Sequence, residues 1–236
     1  MTLGKAARYK HLPTGWSITM TTARQPAPGP SARRAEICRT AAQIILERGY
    51  DATSVNDIAR ALGMTKAGLY HYISGKEALL FEIISFGLDQ VRDEVVLPAQ
   101  ALRDPEARLR ELVARHALII TRGHGAVAHL TDEVRALPPP MRKKINQRMR
   151  AYFNLVRETL GELKAAGRLR SNVDLTVAAF GIVGTVIWFP RWFRPGGRLT
   201  AEQASTEIAD LALASVLRPS AGARRSGLRL VRRPRR

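Results

Sequence analysis

Apolar residues recur along most of this chain at steps of three and four, and no stretch alternates convincingly with a period of two, which predicts helices throughout. A first helix opens near Ser31, with Ile37, Ala41, Ile44, Ile45 and Leu46 at helical spacing and Gly49 as its C-terminal stop. Ser54, with Asp57 three residues on, has the form of an N-cap for a short second helix that buries Ile58, Ala59 and Leu62 and breaks at Gly63. Thr65 caps a third, running through Ala67, Leu69 and Tyr70 to Tyr72. The fourth begins at Ser74-Gly75-Lys76-Glu77 and carries Leu79, Leu80, Ile83, Ile84 and Leu88 toward Pro98. Later helices are expected over 104–122, about 124–137, 141–166, 173–189 and 201–217, with breaks such as Pro138-Pro139-Pro140 and Pro195-Gly196-Gly197. The fold class that follows is all-α, with about nine helices.

The two ends break this pattern. Residues 1–30 hold Pro13, Pro26, Pro28 and Pro30 among Gly and Thr without periodicity, and 219–236 is an Arg-rich stretch; both are expected to be disordered. Met20 is an alternative first residue. Charge gathers at these ends too. Of the formal +18, residues 1–30 contribute four basic groups and 219–236 seven, with no acid in either, so the body between them carries only +7. A basic balance favours a polyanionic partner without identifying one.

Cys38 is the single cysteine, which leaves no intrachain disulfide and no cysteine-rich metal site and suits a reducing compartment. It is expected as a small buried residue of the first helix. The longest apolar run, Leu175 to Phe189, has 15 residues, short of the ~20 a bilayer span needs. The N-terminus lacks a signal-peptide core. A cytoplasmic, nucleoid-associated protein without a membrane partner is expected.

The informative stretch lies between Ser54 and Tyr72, where two short helices meet at Gly63 in the layout of a helix-turn-helix. Such a motif needs a turn residue that tolerates a left-handed backbone, which glycine does. Its second helix must bury one face and offer the other to the major groove. Leu69 and Ile73, four residues apart, supply the inward face, leaving Lys66, Ala67, Gly68, Tyr70 and His71 for DNA. Small residues at 67 and 68 permit close approach.

The run from Thr53 to Leu80, with Ile58-Ala59, Gly63, Leu69-Tyr70-His71-Tyr72 and Lys76-Glu77 in register, resembles the DNA-binding signature of TetR-family transcriptional regulators. The likeness extends upstream through Arg48-Gly49-Tyr50, and departs at Ile73, where the family usually has Phe. The resemblance implies phosphate contacts at Thr53, Tyr72 and Lys76, with Ser54 beside them at the start of the second helix. It implies base reading at Lys66, Ala67 and Gly68, and contacts to phosphate or the thymine methyl at Tyr70 and His71. It further implies a homodimeric repressor on double-stranded operator DNA, released by a small-molecule effector, and no enzyme. The domain plan becomes an extension over 1–30, a DNA-binding domain over 31–91 (helix-turn-helix about 54–73), an effector and dimerisation domain over 92–218, and a tail over 219–236. The fourth helix, running from Lys76 to near Pro98, is the expected lever between the two domains.

In the second half, Val177 to Trp188 is apolar all round a helix and needs cover on every side. Packing against the 201–217 helix, through Ile208, Leu211, Ala212, Ser215 and Val216, and against a second copy would supply it; Ala178, Gly181 and Gly184 allow close approach. The segment Trp188-Phe189-Pro190-Arg191-Trp192-Phe193-Arg194 is similar to TetR-type regulators of lipid or steroid catabolism, some of which answer acyl-CoA thioesters. Trp188, Arg191 and Trp192, with His129, are therefore candidate effector contacts, though a helix plug explains the aromatics equally well. His116, His124 and His129 with Glu133 invite a metal reading, but at ~100° per residue only His129 and Glu133 share a face; no metal and no cofactor is expected. The cluster Arg142, Lys143, Lys144, Arg148 and Arg150 reads as a solvated helix face.

Other classes fare worse. No nucleophile elbow, phosphate loop, metal helix or dinucleotide fingerprint occurs. A sequence-indifferent nucleic-acid binder would depend on the Arg-rich tail, whereas a regulator should keep operator preference without it. An activator needs the same DNA grip as a repressor, so the sign of regulation stays open here.

Overall fold

Every regular element among residues 30–121 and 130–219, the residues described in the computed structural model, is helical; one isolated bridge pairs Leu169 with Leu217. The N-terminal extension up to residue 29, the tail from residue 220, and His124 and His129 lie outside the described residues. α1 (Pro30–Arg48) opens on a proline, suited to a first helical turn. It ends at Gly49, whose φ of 85° is left-handed. α2 (Val55–Ala61), α3 (Lys66–Tyr70) and α4 (Lys76–Val91) follow. The run does not stop before Pro98, as the sequence suggests. α4 continues through a π-helical stretch (Arg92–Val96) into α5 (Leu97–Gln100). Proline lacks an N–H and its ring crowds the carbonyl four residues back. The wider turn ahead of it, where the Leu97 N–H donates to the Arg92 carbonyl, makes room.

The second half comprises α6 (Pro105–Thr121), a 3-10 segment (Leu130–Ala136), α7 (Pro139–Ala165), α8 (Leu175–Trp188), a 3-10 turn (Phe189–Arg191) and α9 (Ala201–Val216). The helix expected over about 124–137 is described only from 130, and there it is 3-10 rather than α. α6 lies between α9, α7 and α8 and builds a core from Leu109, Leu112 and Val113 against Val156, Leu160, Ile182 and Leu213. Arg108–Glu162 and Arg168–Asp104 ion pairs, both 2.6 Å, tie its surface.

A separate core joins α1 to α4 through Ile37, Ile45, Ile58, Leu69, Leu80 and Ile83. Leu46, grouped by its spacing with the buried stripe, is 42% exposed, because it lies ~100° past Ile45 on the helix. This core also takes in Val134 of the 3-10 segment, Leu137 just after it and Ile145 of α7. α7 therefore belongs to both cores. Arg148 fastens the crossing, donating to Asp89 at 2.7 Å and to the Ser85 carbonyl at 3.3 Å.

His116 of α6 is buried with its Nδ1 2.9 Å from the Tyr152 hydroxyl of α7. Burial pushes the imidazole down to about 4, so it is neutral at pH 7. An unfolded histidine takes up a proton near 6.5, and the folded one only near 4. Unfolding thus absorbs a proton in this window, and stability should fall by on the order of 3 kcal/mol as pH drops from 6.5 to 4. His116→Gln should flatten that slope in urea titrations at pH 7.5 and 4.5.

Candidate nucleic-acid interface

The site starts with two caps. Ser54, in an extended conformation, accepts from the Asp57 N–H at 3.2 Å while the Asp57 carboxylate accepts from the Ser54 N–H at 3.0 Å. This reciprocal box satisfies amides that a seven-residue helix would otherwise leave open. Donation from the Ser54 hydroxyl, and after it from the Ser54 N–H, holds the Asp57 carboxyl below the usual carboxylate range. Ser54→Ala should lower stability by about 1 kcal/mol in urea titration at pH 7. Because the Asp57 pKa is depressed, its contribution is complete above the ordinary value of 3.8 and is lost as pH falls through the lower folded value. The gap between variant and wild type should therefore narrow in acid.

Gly63 turns the chain with φ 62°, and Thr65 caps α3 by accepting from the Gly68 N–H at 3.0 Å. A Cβ at Gly68 would stand 3.1 Å from Thr65 Oγ1, so this glycine protects the cap as well as thinning the DNA face. Leu69 and Ile73 are buried in the α1–α4 core; full burial of a leucine contributes roughly 2 kcal/mol. Lys66, Ala67, Tyr70 and His71 are exposed on the other side, Gly68 and Tyr72 half-exposed. Lys66 Nζ stands 5.9 Å from the Tyr70 ring centre.

Two of the expected DNA-binding residues, the phosphate candidate Thr53 and its neighbour Ser54, are otherwise engaged. Thr53 is buried, and its hydroxyl donates to the Gly49 carbonyl at 2.8 Å, closing the turn into α2. The Ser54 hydroxyl bonds Asp57. Lys76, by contrast, is aimed: Nζ donates to the Asp51 carbonyl at 3.2 Å and sits 4.3 Å from the Tyr50 ring centre. Tyr50 enters the sequence pattern only as the end of Arg48-Gly49-Tyr50. Burial and the nearby Glu77 push its phenol up to about 12, and its ring is the platform that positions Lys76. Residues 51–56, Lys66, Tyr70 and Lys76 line one shallow groove of about 360 Å³. Two ammonium groups and a phenol on one concave surface suit a phosphodiester.

The candidate effector residues form an outward ridge. Trp188 and Trp192 are 59% and 54% exposed, and the Arg191 guanidinium lies 4.5 Å over the Trp188 ring. Beneath them Phe189 is fully buried against Trp192 and Phe193. α8 also exposes Val177 and Phe180, with Gly181 and Gly184 following along the helix, and Leu211 of α9 is exposed as well. Ile208, Ala212 and Val216, expected on the helix-pair surface, are buried in the core of the same protomer; Leu211 and Ser215 are exposed instead. Among the described residues no group of His, Cys, Asp and Glu could hold a metal ion, and no helix is long and apolar enough to cross a membrane.

Comparison with known proteins places both halves. A family model for bacterial regulatory proteins of the tetR family matches residues 37–83, and one for a tetracyclin repressor-like C-terminal domain matches 102–216. The HTH-type transcriptional repressor KstR2 of Rhodococcus jostii (strain RHA1) is 33% identical over 195 residues, covering 81% of this chain and 94% of that protein. The crystal structure of AibR in complex with isovaleryl coenzyme A and operator DNA is 38% identical with a TM-score of 0.70, covering 79% of this chain and 99% of that one. The structure of the ketosteroid regulator KstR2 of Mycobacterium tuberculosis is 28% identical with a TM-score of 0.72, covering 79% and 96%.

Proposed function

This chain belongs to the TetR family of bacterial regulators, and from that premise we propose that it is a homodimeric repressor that leaves its operator when an acyl-CoA thioester binds its C-terminal half. The observation that carries the reading is the arrangement of α2, Gly63 and α3, which turns Lys66, Ala67, Gly68, Tyr70 and His71 outward over a groove shared with Lys76. Lys66, Ala67 and Gly68 read base edges; Tyr70, His71, Tyr72 and Lys76 hold the backbone, and Thr53 and Ser54 shape the approach. Residues 31–91 serve as the DNA-binding domain and 92–218 as the effector and dimer domain, in the cytoplasm and without catalytic activity.

A dimer accounts for the uncovered apolar face of α8, since Val177, Phe180 and Leu211 stand exposed in one protomer and would close against a second copy. Two recognition helices must then sit ~34–36 Å apart to enter successive major grooves. An effector that favours another spacing shifts the population off DNA. Trp188, Arg191 and Trp192, at the end of the same helix, are the proposed effector-facing ridge. The acyl-CoA class is supported by AibR, whose structure holds isovaleryl coenzyme A with operator DNA.

Genome-wide footprinting followed by fluorescence anisotropy on the recovered duplex tests this. Lys66→Ala should weaken operator binding by 1–3 kcal/mol, roughly five- to 150-fold, and isovaleryl-CoA or longer acyl-CoAs should release the wild type. A purified dimer that prefers no duplex over random competitor refutes the DNA reading. Release by no thioester refutes the effector class alone.

A further inference from the structure

Several arginines of this fold are neutralised by carboxylates. Arg34 pairs with Glu82, Arg92 with Asp89 and Asp93, Arg110 with Asp210, Arg115 with Glu111, and Arg168 with Asp104 and Glu106. The outer face of α7 shows no such pairing. Pro139, Arg142, Lys143, Asn146, Gln147 and Arg150 line an open groove of about 370 Å³, and among the described residues no carboxylate pairs with its three cations. A merely solvated helix face would intersperse acids, as α4 and α6 do, and need not be concave. Three like charges held within two or three turns repel one another inside a Debye length, and a bound anion would relieve that.

We propose that this groove holds the phosphates of the effector, in chemical terms the nucleotide end of a coenzyme A thioester. The inference rests on the acyl-CoA reading above and says where the effector's charge goes. The Trp188 ridge has little cation to spare: Arg191 is engaged over the indole, and Arg194 donates to the carbonyls of Arg191 and Phe193. The α7 groove offers two guanidinium groups and an ammonium for phosphate oxygens. The Asn146 and Gln147 amides add neutral donors and acceptors for a ribose or a base edge. Beyond the groove's lining the same helix turns apolar: Phe153, three residues past Arg150, packs on the α6 core with its ring centre 4.3 Å from that of Phe180. At 1.5 Å per residue, Arg142 and Phe153 are ~16 Å apart along the helix. That separation lets a pantetheine arm lead from the cationic end to the apolar one.

Calorimetric titration of the full-length dimer with coenzyme A, isovaleryl-CoA and adenosine 3′,5′-bisphosphate tests the assignment, comparing wild type with Arg142→Gln/Arg150→Gln. All three probes should bind the wild type, with affinity falling as salt rises. The double variant should lose at least tenfold for each, with a flatter salt dependence. Its melting temperature and its operator affinity without effector should stay within experimental scatter of wild type. Equal coenzyme A affinity in the variant overturns the groove and leaves the effector reading standing. A parallel loss of operator affinity without effector means that the groove serves DNA backbone, and also overturns it. Failure of every coenzyme A compound to bind the wild type removes both inferences together.

Discussion

Gly63→Val should abolish operator binding and lower folding stability by about 1–3 kcal/mol, whereas Gly63→Asn should cost much less. The reason is conformational. Gly63 has φ 62°, and a Cβ built there meets nothing within 4 Å, so no neighbour resists a side chain. What resists is the backbone, because left-handed geometry brings Cβ against the following carbonyl, worst for β-branched residues and mildest for Asn. The turn is held by the Gly63 N–H to the Arg60 carbonyl at 3.1 Å and the Met64 N–H to the Ala59 carbonyl at 2.9 Å. If valine forces φ negative, these bonds part and α3 changes its roll. Leu69, buried beneath it, can no longer stay seated while Lys66 and Tyr70 face outward. Urea titration and operator anisotropy on the two variants separate this cause from bulk. Equal losses for Val and Asn would refute the backbone argument, since the open space treats both side chains alike.

That turn was legible in the sequence because all its causes are local. Ser54 with Asp57, Thr65 ahead of α3, Gly49 and Gly63 at helix ends, and Leu69 with Ile73 on one face are rules about neighbours three or four residues apart. The structure adds what such rules do not reach. Thr53 looks like a free hydroxyl until the fold buries it against the Gly49 carbonyl. Tyr50 looks like a turn residue until Lys76, 26 positions on, settles over its ring. Pro98 looks like a stop, yet a π turn absorbs it. His116 looks like a possible ligand, but its partner is Tyr152 on another helix. Each depends on a contact between distant positions, which periodicity does not encode.

The same gap alters the view of signal transmission. From sequence, α4 is the expected lever between the two domains. In the fold, the 3-10 segment and α7 also reach across, with Val134, Leu137 and Ile145 seated in the DNA-binding core. α7 is one continuous 27-residue helix, ~40 Å long, with Ile145 in one core and Val156 and Leu160 in the other. A close-packed seat does not deform gradually, so a shift of α7 at the effector end has to be felt at Ile145.

Ile145→Ala should therefore have two separable effects. Fully buried, the side chain leaves a cavity on truncation, and stability should fall by 2–5 kcal/mol. Coupling should fall as well: the acyl-CoA concentration that releases half the operator should rise by about tenfold, within the 1–3 kcal/mol typical of linked sites. Arg148→Met isolates the second effect. It removes the bonds to Asp89 and Ser85 from a half-exposed side chain whose ion pair contributes little to stability. Its melting temperature should barely move and its acyl-CoA affinity without DNA should match wild type, while release of operator is blunted. If both variants release operator at the wild-type effector concentration, α7 carries no signal and transmission must run through α4 or the 3-10 segment.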